Sequence, residues 1–162
     1  MQKYCIVTFL EDVSDGTEFP MSAWPHHITL AANFVINKSV GRLIEIVSDF
    51  AKNHNEFEAI AGDDDYFGSD GKVLVTKLET NPQLKAAHEE LISQLVSEGS
   101  QFDHPQYNND GYIAHATVWF EKRLYKGNKI LFNKLSVVDM FPDEDIHQRK
   151  VLATFNLRKS SF

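Results

Sequence analysis

Tyr112-Ile113-Ala114-His115-Ala116-Thr117-Val118-Trp119-Phe120 is the stretch on which the reading of this chain turns. Aromatic and β-branched residues, the lack of proline and an Asn-Asn-Asp-Gly turn signal at Asn108 to Gly111 mark it as a strand. Side chains alternate across a strand, so His115, Thr117 and Trp119 share one face and Ala114, Ala116 and Val118 the other. A titratable imidazole thus stands beside a hydroxyl in an otherwise apolar strand. The arrangement recurs upstream in Pro25-His26-His27-Ile28-Thr29-Leu30-Ala31, where His27 and Thr29 share a face. With 7 His among 162 residues, and as many Thr, about 0.3 H-x-T matches are expected by chance. Either copy alone reads as a half-buried histidine beside a threonine chosen for β propensity. Two copies, each in a strand-like run and each followed by an apolar residue (Leu30, Val118), form a functional signal.

On these residues the chain resembles the 2H phosphoesterase superfamily, which includes the 2′,5′ RNA ligase-like proteins and 2′,3′-cyclic phosphodiesterases. Its defining feature is a pair of H-x-[ST]-x motifs facing each other across a cleft, here His27-Ile28-Thr29-Leu30 and His115-Ala116-Thr117-Val118. Many bacterial RNA-ligase-like members carry a basic residue shortly after the motif, in the style H-I-T-L-A-R; here those positions hold Ala32 and Phe120. The resemblance implies an α+β fold of two pseudo-symmetric lobes, each a mainly antiparallel sheet backed by a helix, around a central cleft. It implies a cytoplasmic hydrolase, a phosphodiesterase for 2′,3′-cyclic phosphate or 2′,5′-linked nucleotide or short RNA, acting as a monomer without a cofactor. It also implies that the connection after the third strand borders the cleft, so that Tyr66 or Phe67 touches substrate.

Length and composition are consistent with this. A chain of 162 residues is one domain's worth, and residues 1–162 read as a single unit. Hydrophobic content of 43% and charged content of 24% are those of a soluble globular protein. A net charge of −7 argues against a dedicated non-specific nucleic-acid binder, while leaving a small nucleotide or RNA end in a local pocket compatible. The single cysteine, Cys5, lies in an apolar run and reads as a small buried hydrophobe in a reducing, cytosolic setting. The run Tyr4 to Leu10 is too short for a signal-peptide core, and no segment approaches a membrane span.

Along the chain the pattern predicts β-β-α-β-β-α-β-β-β. The first strand is Lys3 to Leu10 and the second runs from His27 to about Ile36, with Trp24 before it as a core or rim aromatic or, alternatively, a base-stacking platform. An amphipathic helix follows over 37–53, capped by Ser39 or Asn37, with Leu43, Val47 and Ala51 on its apolar stripe. After a short strand over 56–61, the run Gly62 to Gly71 reads as a solvated acidic loop rather than a hard-cation site. A strand over 72–79 leads to a second helix opened by Asn81-Pro82, its stripe containing Leu84, His88, Leu91 and Leu95 and its end at Gly99. After the His115 strand, Ile130 to Val138 is one strand and Gln148 to Arg158 the last. Lys122, Arg123, Lys126, Lys129 and Lys134 form the one dense basic stretch. It is either a solvated hairpin with edge lysines or a phosphate-steering rim in which Lys122 and Arg123 meet substrate.

Imidazole titrates near pH 6.5, so a pair supplies one neutral base and one charged acid at neutral pH. The hydroxyls of Thr29 and Thr117 are placed to donate to non-bridging phosphate oxygens as charge builds up. The chemistry expected is metal-independent phosphodiester cleavage, with His27 and His115 as catalytic groups and Thr29 and Thr117 as phosphate ligands. The rival readings are a non-catalytic nucleotide- or RNA-binding module, a metallohydrolase using His26, His27 and His115, and a structural α+β domain. Adjacent strand positions point to opposite faces, which tells against a metal shared by His26 and His27.

Overall fold

In the computed structural model, which describes residues 2–159, the two H-x-T segments belong to different antiparallel sheets. The elements in chain order are β1 (Tyr4–Phe9), β2 (Glu18–Pro20), β3 (His27–Val35), α1 (Val40–Lys52), β4 (Phe57–Phe67), β5 (Val73–Leu78) and α2 (Pro82–Ser97). There follow β6 (Gln101–Phe102), β7 (His115–Thr117), β8 (Lys129–Phe132), β9 (Lys134–Asp139) and β10 (Gln148–Asn156). A six-stranded sheet has the order β2-β10-β9-β1-β3-β6, and a four-stranded sheet the order β7-β5-β4-β8. β3 lies against β7 across the gap between them. The architecture is α+β and two-lobed: α1 packs on β9 and β10, while α2 packs on β3 and β4, one strand from each lobe.

The helices form where the apolar spacing places them. Ser39 caps α1 by accepting from the Arg42 N–H at 3.1 Å, and Leu43, Ile46, Val47, Phe50 and Ala51 are buried. In α2, Asn81 accepts from Gln83 and Leu84 N–H at 2.9 and 3.0 Å. The stripe Leu84, Ala87, His88, Leu91, Ile92 and Leu95 goes inside, and Gly99, at φ +93°, ends the helix in the left-handed conformation that glycine tolerates. One apolar cluster joins these helices to both sheets through Ile28, Leu30, Phe34, Ala59, Ala116 and Phe132. A smaller cluster on the opposite face of the six-stranded sheet contains Cys5, Val7, Phe9, Phe19, Val138 and Val151. Burial raises the Cys5 thiol to about 12, so it behaves as a hydrophobe.

Three expectations change. Ile130 to Val138 is two strands, separated at Asn133. β8 alternates exposed and buried and completes the smaller sheet, whereas β9, between β1 and β10, is buried continuously from Leu135 onward. The acidic run does not loop: β4 continues through Asp63, Asp64 and Asp65 to Phe67. Those carboxylates face cations, with Asp64 bonded to Arg123, Asp63 to Lys126 and Asp65 to Lys77. The acidic and basic runs are therefore complementary partners, and repulsion no longer argues for a loop. The third change is length: β7 keeps only His115 to Thr117 of the predicted nine-residue strand, because the chain turns back at Trp119 to Lys122.

Asn81 also donates to the Glu58 carbonyl at 2.8 Å, tying α2 to β4. Replacing it by Ala is expected to cost about 1–2 kcal/mol, seen as a lower urea midpoint with an unchanged denaturant slope.

Candidate active site

The spacing of H-x-T becomes geometry through burial. Ile28 and Leu30 enter the main core from β3, and Ala116 enters it from β7. Strand alternation then directs His27 and Thr29 to the other face of β3, and His115 and Thr117 to the other face of β7. β7 is fixed by its ladder to β5, where His115 opposes Lys77 and Thr117 opposes Val75. His27 and Thr117, one from each motif, line the same cleft together with Trp24, His26, Trp119 and Lys122.

Each imidazole is held in the same way. His27 Nδ1–H donates to the Pro25 carbonyl at 2.8 Å, and His115 Nδ1–H donates to the Ile113 carbonyl at 2.8 Å. Both partners lie two residues upstream and can only accept, so each neutral ring carries its proton on Nδ1 and leaves Nε2 as an acceptor. Each ring also has an aromatic wall. Trp24 lies over His27 with centroids 4.6 Å apart, and Phe67 meets His115 edge-on at 4.8 Å. Burial lowers both imidazoles below their ordinary range; the carbonyl bonds work in the other direction. A positive charge on His115 further opposes one on His27, which favours a single proton over two. Among the described residues neither the Thr29 nor the Thr117 hydroxyl is committed to a protein partner.

The weaker candidates separate. Trp24 and Phe67 reach the site as ring supports, whereas Tyr66, its neighbour on the opposite strand face, is 62% exposed. Lys122 lines the cleft, its ammonium 3.0 Å from both Glu11 oxygens. Glu11 also accepts the His26 N–H at 2.8 Å. Arg123 is turned away from the cleft. Its guanidinium is bonded to Asp64 at 2.8 and 3.0 Å and lies over Tyr125 at 4.7 Å. Of the basic residues expected at the rim, Lys122 lines the cleft and Arg123 does not; Lys122 is ion-paired with Glu11, Arg123 with Asp64 and Lys126 with Asp63.

His26 shares the cleft with His27 because β3 begins only at His27, so strand alternation does not reach it. Two further residues position the site, and spacing alone does not announce them. Tyr112 Oη–H donates to the Thr29 carbonyl at 2.7 Å. His88 Nδ1–H donates to the Leu30 carbonyl at 2.6 Å, and its Nε2 accepts the Asn109 N–H at 2.9 Å. Among the described residues no three or more His, Cys, Asp or Glu converge as a metal-ligand group. No helix there is long and apolar enough to cross a membrane.

A family model described as the 2′-5′ RNA ligase superfamily matches residues 13–137. The fold is similar to that of Escherichia coli LigT in its crystal structure with 3′-AMP, at 13% identity and a TM-score of 0.60, covering 97% of this chain and 98% of that one. It is similar also to a crystal structure described as a phosphoesterase, at 14% identity and a TM-score of 0.59, with the same coverage of both chains. A third similar structure is TT0787 of Thermus thermophilus, at 18% identity and a TM-score of 0.50, covering 98% and 100%. No curated protein sequence matches the chain.

The lowered imidazoles set a pH dependence of stability. Because His27, His115 and His88 bind a proton less readily folded than unfolded, the unfolded chain holds more protons in acid, and stability rises with pH. Unfolding free energy is expected to be level above pH about 6.5 and to fall below it, by up to about 1.4 kcal/mol per pH unit for each histidine involved. Urea titrations from pH 5 to 8 measure this, and a double His27→Gln, His115→Gln variant should show a shallower decline.

Proposed function

The chain belongs to the 2′-5′ RNA ligase superfamily, the 2H phosphoesterases, and from that premise we propose that it is a metal-independent phosphodiesterase for 2′,3′-cyclic phosphate or 2′,5′-linked nucleotide or RNA ends. The observation that carries this reading is the matched pair of imidazoles, each with Nδ1 bonded to a carbonyl two residues upstream and Nε2 left as the reacting nitrogen. LigT was crystallised with 3′-AMP, with ATP and with NADP+, which supports a nucleotide ligand for the same cleft here.

In the proposed reaction a phosphate sits between the two motifs. One histidine, neutral, takes a proton from water through Nε2 as the water oxygen bonds to phosphorus. The other, protonated, gives its Nε2 proton to the departing ribose oxygen as the phosphorus–oxygen bond breaks. A 2′,3′-cyclic phosphate opens in this way to a 2′-phosphate. Charge gathers on the non-bridging oxygens, where the hydroxyls of Thr29 and Thr117 donate, and the Lys122 ammonium adds local positive charge. A bound anion raises the pKa of the acid histidine, which burial otherwise keeps neutral. One unit spanning residues 1–162 and acting as a monomer is part of the proposal.

Hydrolysis of a 2′,3′-cyclic nucleotide should persist in excess EDTA and fall about 10²–10⁴-fold in kcat/KM in each of His27→Ala and His115→Ala. Thr117→Val should lose about 10²-fold, mostly in kcat. Equal turnover in the histidine variants contradicts the reading. Binding that survives His→Gln changes without any turnover favours a non-catalytic nucleotide module instead. Since both imidazoles are lowered, the kcat/KM profile should peak below pH about 6.5 and fall as pH rises, when the acid histidine loses its proton. A profile still climbing at pH 8 contradicts it.

A further inference from the structure

Resting on that reading, we propose that the turn at Trp119 to Lys122 is a nucleobase platform, and that it selects substrates whose base is unpaired and free to stack. Trp119 stands two residues beyond Thr117, past the end of β7, and lines the same cleft as His27 and Thr117. The other aromatic rings beside the histidines are already covered. Trp24 packs on His27 and Phe19, and Phe67 meets His115. Among the described residues the ring contact of Trp119 is Phe120, edge-on at 5.3 Å and 80°. A large indole at the cleft remains 46% exposed, and Phe120 at the tip is 85% exposed.

The backbone holds this exposed pair in place. Trp119 and Lys122 exchange N–H to carbonyl bonds of 2.9 and 3.0 Å. Phe120 occupies the left-handed region at φ +56°, where a residue with a β-carbon is disfavoured by roughly 1–2 kcal/mol. Glu11 grips Lys122 from the loop after β1 and anchors the turn to the other lobe. A large indole left half-exposed at the cleft, beside a residue kept in an unfavourable backbone conformation, has no packing role that accounts for it. A ligand with a flat apolar face does account for it.

Charge supports the same occupant. The chain carries −7 overall and Lys122 is shared with Glu11, so long-range attraction supplies little affinity for an anion. Stacking supplies it without charge and with tolerance for any base, because every base has a π face. It requires that the base be out of a duplex. A single-stranded terminal nucleotide is therefore the class that fits.

The test compares kcat/KM for 2′,3′-cyclic AMP with that for a base-free analogue, methyl riboside 2,3-cyclic phosphate. Wild type should favour the nucleotide. The ratio should fall roughly five- to hundred-fold in Trp119→Ala, survive largely in Trp119→Phe, and fall partly in Phe120→Gly, which also relieves the left-handed backbone. Trp119→Thr, which keeps strand preference, replaces Trp119→Ala if that variant does not fold. A ratio near one in wild type, or a ratio unmoved in Trp119→Ala, overturns the platform. If wild type turns over neither compound, the phosphodiesterase reading fails by itself. The platform is then decided by the same ratio in dissociation constants for 3′-AMP and ribose 3-phosphate: a preference lost in Trp119→Ala supports it, and no preference overturns it.

Discussion

The cleft depends on how the Thr29 and Leu30 carbonyls are satisfied. The β1–β3 ladder steps from Ile6 opposite Ala31 to Val7 opposite Thr29, leaving Leu30 as an extra residue in β3. A bulge of this kind interrupts the ladder and requires another partner for the displaced carbonyl. That partner is His88 of α2, which bonds to Leu30 and, through its other nitrogen, to the Asn109 amide. Its ring lies flat on Tyr112 with centroids 3.7 Å apart and planes 7° from parallel, and the Tyr112 hydroxyl bonds to the Thr29 carbonyl. Burial keeps that phenol protonated and His88 neutral. Three hydrogen bonds, one buried and two partly buried, and one stack thus hold the segment leading into His115 against the strand that carries Thr29. Removing either ring leaves a buried polar group unpaired, at about 1–3 kcal/mol each.

From that constraint the chemistry follows by alternation. The residue between each histidine and its threonine is sealed in the core, and so is Leu30 beyond the first motif. The polar pair has no other face to occupy. The same burial that anchors the strands partly desolvates the imidazoles and makes their second proton unfavourable. The proposed acid–base cleavage of a phosphodiester requires one proton shared between two such bases.

Much of this was legible because it is local. The H-x-T spacing, the Ser39 and Asn81 caps, the stripe of α2 and the burial of Cys5 are each encoded within a few residues. What was not legible depends on partners distant in sequence. The run Asp63 to Asp65 reads as a loop until Arg123 and Lys126 are known to lie across from it, and Arg123 reads as a phosphate ligand for the same reason. The break at Asn133 is recorded faintly, as a change from alternating to continuous burial on passing from Phe132 to Leu135. Tyr66 and Phe67 are indistinguishable in composition; only the strand register, which gives Phe67 to His115, separates them. His88 was recognisable as a packed residue, but not as the group that receives the Leu30 bulge.

The proposed chemistry needs two imidazoles acting on one phosphate, and nitrogen-15 NMR of the histidine rings during a titration with 3′-AMP tests that directly. Above pH about 7.5, where both rings are neutral, His27 and His115 should each show the tautomer protonated at Nδ1. Their Nε2 signals should then move together, at one midpoint and one equivalent of ligand. Movement of one ring alone, or a free state protonated at Nε2, contradicts the shared site.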